Sequence, residues 1–104
     1  MKSKEYEIKF LPLFERDLNE AVDYIKYELC NPKAAGKLID DIELAIMKRR
    51  VNPKSFEKFY SLKERIHPYY RIYVGNYVVF YVVINDTMEI RRLLYNKRKT
   101  NLHI

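Results

Sequence analysis

The most informative stretch of the chain is residues 69–84, which read YYRIYVGNYVVFYVVI. β-Branched and aromatic residues fill two runs on either side of Gly75-Asn76, a pattern typical of two strands joined by a tight turn. Asn85-Asp86 is a second turn signal, and a third run of the same kind follows at residues 88–98. The last third of the chain is therefore predicted to be a three-stranded antiparallel meander.

The preceding residues change from strand periodicity to helical periodicity. Residues 6–11 alternate apolar and polar side chains, which predicts a short strand that ends at Pro12. Two amphipathic helices should follow, separated at Asn31-Pro32, with Asn31 as the N-cap and Pro32 as the first helical residue. Their apolar positions are Phe14, Leu18, Ala21, Val22, Ile25 and Leu29 in the first helix, and Ala35, Leu38, Ile39, Ile42, Ala45 and Ile46 in the second.

This order of elements predicts an α+β fold with the sequence βααβββ. The two helices should form a hairpin, and the hairpin should pack on one face of a small, mainly antiparallel sheet. Residues 77–84 are apolar on both sides, which predicts a central strand. We expect one domain covering residues 1–104, because a chain of 104 residues has no room for a second core.

The period of two along a strand assigns side chains to the two faces of the sheet. Tyr70, Ile72 and Val74 should face the helices, whereas Tyr69, Arg71 and Tyr73 should face away from them. In the last strand, strict alternation groups Glu89, Arg91, Leu93 and Tyr95 on one face and Met88, Ile90, Arg92 and Leu94 on the other.

The sequence also predicts the surroundings of several residues outside the strands. Residues 51–68 should form a loop that packs aromatic side chains against the sheet and presents cations. Cys30 is expected to be a small core-facing residue at a helix end, and Asp17 an ordinary solvated helix residue. The run Lys48-Arg49-Arg50 is expected to be a solvated helix end that complements the helix dipole.

Composition limits the classes of function. Twenty Lys and Arg against 14 Asp and Glu give a net charge of +6, which favours RNA, DNA or an acidic protein as partner. One cysteine excludes an intrachain disulfide and cysteine-based zinc sites, and two glycines form no phosphate-binding loop. His67 and His103 have no metal-ligand spacing, so neither a metal nor a cofactor is implied. No apolar run approaches membrane-spanning length, which predicts a cytoplasmic protein without a membrane partner.

The tyrosines and arginines of the meander have two interpretations. Tyrosine is a good strand former, and Tyr69 and Tyr73 can simply cover the sheet surface. The same alternation places them beside Arg71, and tyrosine stacks on nucleobases while arginine binds phosphate in a bidentate manner. Residue types alone leave both interpretations open.

Two motifs in this stretch carry a resemblance to a known family. Residues 71–81, RIYVGNYVVFY, and residues 90–98, IRRLLYNKR, resemble the hairpin and the closing strand of the RelE/ParE superfamily of bacterial type II toxin–antitoxin toxins. The resemblance extends over nearly the whole chain. It implies a growth-inhibiting toxin that a cognate acidic antitoxin covers, with an antitoxin segment that folds over the sheet and helices.

The superfamily contains two kinds of activity. RelE-like members cut ribosome-bound mRNA without a metal: the RNA 2′-hydroxyl attacks the adjacent phosphate while basic residues stabilise the charge. ParE-like members poison DNA gyrase and have no nuclease activity. The first hypothesis is a ribosome-dependent endoribonuclease, and the alternatives are a gyrase inhibitor and a degenerate toxin that only binds its antitoxin.

For the nuclease hypothesis, the resemblance and the strand pattern together select a set of site residues. The catalytic candidates are Arg71, Arg98 and Tyr95, and the substrate-binding candidates are Tyr69, Tyr73, Lys97 and Arg91. The chain departs from the nuclease pattern at Val78, where nuclease members carry an arginine that contacts phosphate.

Overall fold

The computed structural model describes residues 5–60 and 66–96. Their order confirms the predicted α+β fold of type βααβββ. The elements are β1 (Glu7–Phe10), α1 (Pro12–Asp23), a π-helical segment (Tyr24–Glu28), α2 (Pro32–Arg49), β2 (Tyr70–Val74), β3 (Tyr77–Ile84) and β4 (Thr87–Tyr95). No helix within the described ranges combines the length and the apolar character needed to cross a membrane.

The four strands form one sheet in the order β1-β4-β3-β2. β1 pairs with β4 in parallel, while the β2–β3 and β3–β4 pairs are antiparallel, so the sheet is mainly antiparallel as predicted. β3 is an inner strand, which explains its apolar residues on both faces. Both predicted turns are present, with Gly75 at φ 57° and Asn85 at φ 55°, the left-handed region that these residue types tolerate.

The described helices cover one face of the sheet, and no helix within residues 5–60 and 66–96 lies on the other. α1 lies over β4, and α2 lies over β2. The core between the layers is made of buried residues from the predicted stripes and from alternate strand positions: Phe14, Ala21, Leu38, Ile42, Ile46, Tyr70, Ile72, Val74, Val79, Tyr81, Met88, Ile90 and Leu93. Burial of each larger apolar side chain contributes about 1.5–3 kcal/mol, which makes this layer the main source of stability.

A β-bulge in β4 changes the predicted faces of that strand. Phe80 is opposite Arg92 and Tyr81 is opposite Ile90, so Arg91 is the extra residue that the bulge inserts into β4. Strict alternation therefore fails between Arg91 and Leu93, which it had grouped on one face. Met88 and Ile90 share the helix-covered face with Leu93 and Tyr95, whereas Glu89, Arg91 and Leu94 point to the other face.

The junction between the two helices also differs from the prediction. The Asn31 side chain accepts a hydrogen bond from the Ala34 amide at 3.1 Å, which confirms the N-cap. Before it, α1 continues as the π-helical segment, and Leu29 donates its amide to Tyr24 O at 3.0 Å. The expectation that Cys30 faces the core is wrong: Cys30 is exposed and adopts φ 51°. The left-handed turn at Cys30 directs its side chain to solvent, where Sγ donates to Tyr27 O at 3.4 Å.

The basic end of α2 was expected to be solvated, but two of its arginines make structural contacts. Arg49 Nη1 donates to Arg71 O at 3.1 Å and to Tyr81 Oη at 3.0 Å, and its guanidinium stacks on Phe56 at 3.4 Å from the ring centroid. Arg50 Nε donates to Tyr6 O at 3.0 Å and so ties α2 to the start of β1. Two of the three cations in this run therefore hold elements together.

Candidate functional site

The sheet face that no described helix covers is the one to which sequence analysis assigned Tyr69, Arg71 and Tyr73. We call it the open face and define it by Tyr69, Arg71, Tyr73, Val78, Phe80, Val82, Glu89, Arg91 and Leu94. Its floor is apolar and consists of the buried side chains of Val78, Phe80 and Val82. Polar and aromatic side chains from β2 and β4 surround that floor.

Part of this floor is covered by the loop after α2. Phe59 and Tyr69 exchange two backbone hydrogen bonds of 2.7 Å, and the Phe59 ring lies 6.1 Å from that of Phe80. The expected packing of loop aromatics against the sheet is therefore present. As a consequence Tyr69, which was expected to face solvent, is buried on the open face, with its ring edge-on to Phe80 at 6.2 Å.

Arg91 is held within the open face by a carboxylate of its own strand. Its Nε donates to Glu89 Oε1 at 2.8 Å, and the two side chains are only 20% and 15% exposed. Its Nη1 donates to Tyr69 Oη at 3.4 Å, and the guanidinium lies 5.7 Å from the Tyr69 ring centroid. Glu89 thus balances the charge of Arg91 in a largely desolvated site, where pairing is strong.

Arg71 and Tyr73 form the accessible part of the open face. The Arg71 guanidinium lies 4.9 Å from the Phe59 ring centroid, and its Nη2 approaches Glu57 Oε1 at 3.5 Å. Because Glu57 is 86% exposed and the pair is long, water competes for it effectively. Tyr73 is 59% exposed and presents its ring beside Arg71. Tyr73 is therefore available to a partner, whereas Arg71, whose side chain is 27% exposed, is only partly accessible.

The remaining site candidates do not join this surface in the described structure. Tyr95 is opposite Tyr77 and packs against it edge-on at 5.5 Å, on the helix-covered side of the sheet. Arg71 and Tyr95 therefore lie on opposite faces, a consequence of the bulge at Arg91. Lys97 and Arg98 lie outside the described residues.

The open face is suited to binding, and its described part lacks a complete set of groups for RNA cleavage. Cleavage needs cations at the phosphate and a group that takes the 2′-hydroxyl proton. Here Arg91 is neutralised by Glu89, Val78 is buried in the floor, and Tyr95 is on the other side. Across residues 5–60 and 66–96, no group of three His, Cys, Asp or Glu side chains is arranged to hold a metal ion.

Sequence analysis missed the residue that fixes the geometry of the bulge. Asp17, expected to be solvated, accepts hydrogen bonds from Arg92 Nε at 2.7 Å, Arg92 Nη2 at 3.2 Å and the Leu93 amide at 3.0 Å. This bidentate pair raises the pKa of Arg92, chiefly through the hydrogen bonds that Arg92 donates to Asp17. The adjacent pair Arg91-Arg92 was a signal, since alternation would place one of the two among apolar residues. No pattern in the sequence identified Asp17 as the partner.

The family model for the ParE toxin of the type II toxin–antitoxin system parDE matches residues 8–100. The chain belongs to this ParE toxin family. The match includes both motifs that carried the resemblance, and the family that it identifies is ParE, which sequence analysis had named as the alternative. No curated protein matches the chain.

Solved structures of toxin–antitoxin complexes share the fold of this ParE-family chain. The chromosomal ParDE system from P. aeruginosa has a TM-score of 0.67 at 15% identity, covering 88% of this chain and 96% of that one. The RelE–RelB complex from Pyrococcus horikoshii has a TM-score of 0.55 at 19% identity, covering 91% and 99%. The RelB–RelE complex from Methanococcus jannaschii has a TM-score of 0.51 at 29% identity, covering 86% and 91%.

Proposed function

We propose that this type II toxin inhibits growth by binding DNA gyrase through its open face, without cutting RNA. The ParE family match supports this, because the ParE-like members of the superfamily poison gyrase. The observation that carries the proposal is the Arg91–Glu89 pair, which is 2.8 Å long and largely buried. A neutralised arginine on an apolar floor is better suited to contact with a protein partner than to contact with a phosphodiester.

The same features weigh against efficient RNA cleavage. Removing one charge-stabilising contact typically lowers such a rate by about 10²–10³. In this chain Val78 replaces one cation and Glu89 neutralises another, so two contributions are reduced. Tyr95, the catalytic candidate of β4, lies on the face opposite Arg71.

Ribosome-dependent mRNA cleavage is the second candidate function. It is favoured by the exposed Tyr73 ring beside Arg71, an arrangement that can stack a base and contact a phosphate. Lys97 and Arg98 would supply further cations in this version, and Tyr69 and Arg91 would support the stacked base.

A cognate antitoxin is the proposed regulatory partner. The solved structures that share the fold are complexes of a toxin with its antitoxin. With a net charge of +6, this chain favours an acidic antitoxin segment, which orders as it binds. Affinity should fall as salt rises, because screening weakens attraction between exposed charges. An affinity that is independent of salt would contradict the acidic-segment part of the proposal.

Expression of the chain in bacteria without its antitoxin tests the proposed target. The gyrase proposal predicts growth arrest with induction of an SOS-response reporter, while primer extension finds mRNA codons intact. Codon-specific breaks without SOS induction would assign the chain to the nuclease candidate instead. Absence of growth arrest would identify a degenerate toxin that only binds its antitoxin.

A matched pair of tyrosine variants tests whether the open face makes the contact. Tyr73 and Tyr27 are both exposed, at 59% and 65%, and Tyr27 belongs to the π-helical segment away from the open face. Tyr73→Ala should lower toxicity by about tenfold or more, as expected for an aromatic residue at the centre of an interface. Tyr27→Ala should retain it. Equal toxicity of the two variants would place the target contact elsewhere.

A further inference from the structure

The end of α2 reaches the strand that carries the accessible part of the open face. Arg49, a half-buried residue of α2, donates from Nη1 to Arg71 O at 3.1 Å and to Tyr81 Oη at 3.0 Å. Because Tyr81 belongs to the core under the helices, Arg49 contacts β2 from the helix-covered side. One of its hydrogen bonds nevertheless ends on the backbone of an open-face residue.

The edge position of β2 makes this hydrogen bond important for the open face. In the described sheet, β2 lies at the end of the order β1-β4-β3-β2. Since backbone groups alternate in an antiparallel pair, those of Tyr69, Arg71 and Tyr73 point away from β3. Phe59 and Tyr69 exchange two backbone hydrogen bonds of 2.7 Å, and the Arg49 guanidinium bonds the carbonyl of Arg71. Arg49 therefore holds the edge of β2 next to the point where the loop pairs with it.

Arg49 also fixes the position of the loop after α2. Its guanidinium stacks on Phe56 at 3.4 Å from the ring centroid. The Tyr81 hydroxyl, which accepts a hydrogen bond from Arg49, donates one to Pro53 O at 2.6 Å. Pro53 and Tyr81 are both buried, which shields this bond from water and strengthens it. The first half of the loop is therefore anchored at Arg49.

The anchored loop in turn orients the side chain of Arg71. The Arg71 guanidinium lies 4.9 Å from the ring centroid of Phe59, and its Nη2 lies 3.5 Å from Glu57 Oε1. A long side chain with many rotamers binds a partner better when its neighbours hold it in one geometry. Arg49 is thus linked to Arg71 in two ways, through the Arg71 carbonyl and through the loop.

We propose that Arg49 is a positioning residue for the open face: it holds Arg71 in the geometry that the target contacts, without contacting the target itself. The inference rests on the proposed function, because it requires the open face to be the surface that binds the target. It adds a residue that lies outside this surface, in α2. Lysine at this position would keep the charge but lose the planar group that makes these contacts together.

The adjacent residue provides a matched control. Arg50 is also half-buried, and its Nε donates to a backbone carbonyl, Tyr6 O, at 3.0 Å. Tyr6 directly precedes β1, which lies at the opposite edge of the sheet from β2. Arg49→Lys and Arg50→Lys therefore remove similar contacts, but only the contact of Arg49 ends on a strand that carries open-face side chains.

The measurement is the concentration of the full-length chain that halves DNA supercoiling by purified gyrase. Arg49→Lys should raise this concentration by about tenfold, and Arg50→Lys by less than about twofold. In a chain that already carries Arg71→Ala, Arg49→Lys should raise it by less than about threefold, because the side chain that Arg49 positions is gone. A purely structural role predicts equal losses for the two lysine variants, and a direct contact of Arg49 with gyrase predicts the full loss in the Arg71→Ala chain.

Circular dichroism checks that each variant is folded in the assay buffer. Should Arg49→Lys fail to fold, Phe56→Leu removes the ring from the stack and should raise the concentration by about threefold, an effect that Arg71→Ala should again abolish. Equal losses for Arg49→Lys and Arg50→Lys, or additive effects of Arg49→Lys and Arg71→Ala, would overturn the positioning role while gyrase inhibition by the native chain still stands. A native chain that leaves gyrase unaffected would overturn the proposed function instead. Growth arrest would then replace supercoiling as the readout, and equal arrest by the two lysine variants would overturn the positioning role.

Discussion

The ion pair between Asp17 and Arg92 leads to a quantitative prediction about stability. The substitution Asp17→Asn keeps the size of the side chain and removes the charge that Arg92 and the Leu93 amide share. Breaking a buried ion pair costs about 3–5 kcal/mol, because one charge is left without compensation. Asp17 is 10% exposed and Arg92 is 24% exposed, so water recovers part of this cost. We therefore expect the free energy of unfolding to fall by about 2–3 kcal/mol.

Urea unfolding followed by circular dichroism measures this loss. With a slope of about 1–3 kcal/mol per molar urea for a small domain, the midpoint should move down by about 1 M or more. The matched control is Asp41→Asn, which breaks the exposed 2.7 Å pair with Lys37 on α2 and should leave the midpoint unchanged within error. In a double-mutant cycle with Arg92→Met, the second substitution should cost little once Asp17 has been replaced. An Asp17→Asn midpoint equal to that of the control, or strictly additive effects in the cycle, would refute this account of the bulge.

Three further predictions concern other contacts. Arg49→Lys should lower the free energy of unfolding by about 1–2 kcal/mol in the same urea titration, because lysine keeps the charge but loses the planar stacking on Phe56; a Lys48→Arg control should change little. Burial raises the pKa of Tyr81, so the folded state holds this proton more tightly than the unfolded chain. The contribution of the Tyr81 phenol to the free energy of unfolding should be constant below about pH 10 and should fall above it by up to about 1.4 kcal/mol per pH unit. Tyr81→Phe should flatten this decline. An unchanged decline in the variant would show that another group causes it. Glu89→Gln should increase single-stranded RNA affinity and add about one to the salt slope of binding, since it releases a cation; an effect no larger than that of Glu43→Gln would contradict the neutralisation of the open face.

The architecture of this chain was readable from local patterns. The turns at Gly75 and Asn85, the cap at Asn31 and the helical stripes are short-range signals. They require only residues near one another in sequence, so they fix the order of the elements and the face of each helix that is buried. The parallel pairing of β1 with β4 joins residues about 80 positions apart and left no such local signal.

Most of the features that escaped prediction depend on long-range contacts, and Cys30 is the local exception. The bulge at Arg91 moves Leu93, Leu94 and Tyr95 to the faces opposite those that strict alternation assigned, and the adjacent Arg92 is held by a carboxylate 75 positions earlier in the chain. Cys30 turns outward because the chain must adopt a left-handed conformation to connect the π-helical segment to α2. Arg49 makes structural contacts because Phe56 and Tyr81 lie next to it. The sequence around Arg49 does not indicate these contacts.

The candidate site was predictable only where strand alternation is uninterrupted. Arg71 and Tyr73 lie on the open face as their positions in β2 required, and Arg91 also lies there. Pairing of Arg91 with Glu89 follows from their separation of two residues in the strand, although alternation alone did not indicate that the pair would be buried. Strict alternation grouped Tyr95 with Arg91, but the bulge puts Tyr95 on the helix-covered face, and the site is divided as a result.

A DNA supercoiling reaction with purified gyrase and the purified chain tests the central proposal most directly. The gyrase proposal predicts that supercoiling stops and that cleaved DNA–gyrase complexes accumulate. The same toxin concentration should leave A-site codons intact in a translation extract analysed by primer extension. Normal supercoiling together with codon-specific breaks in the mRNA would contradict it.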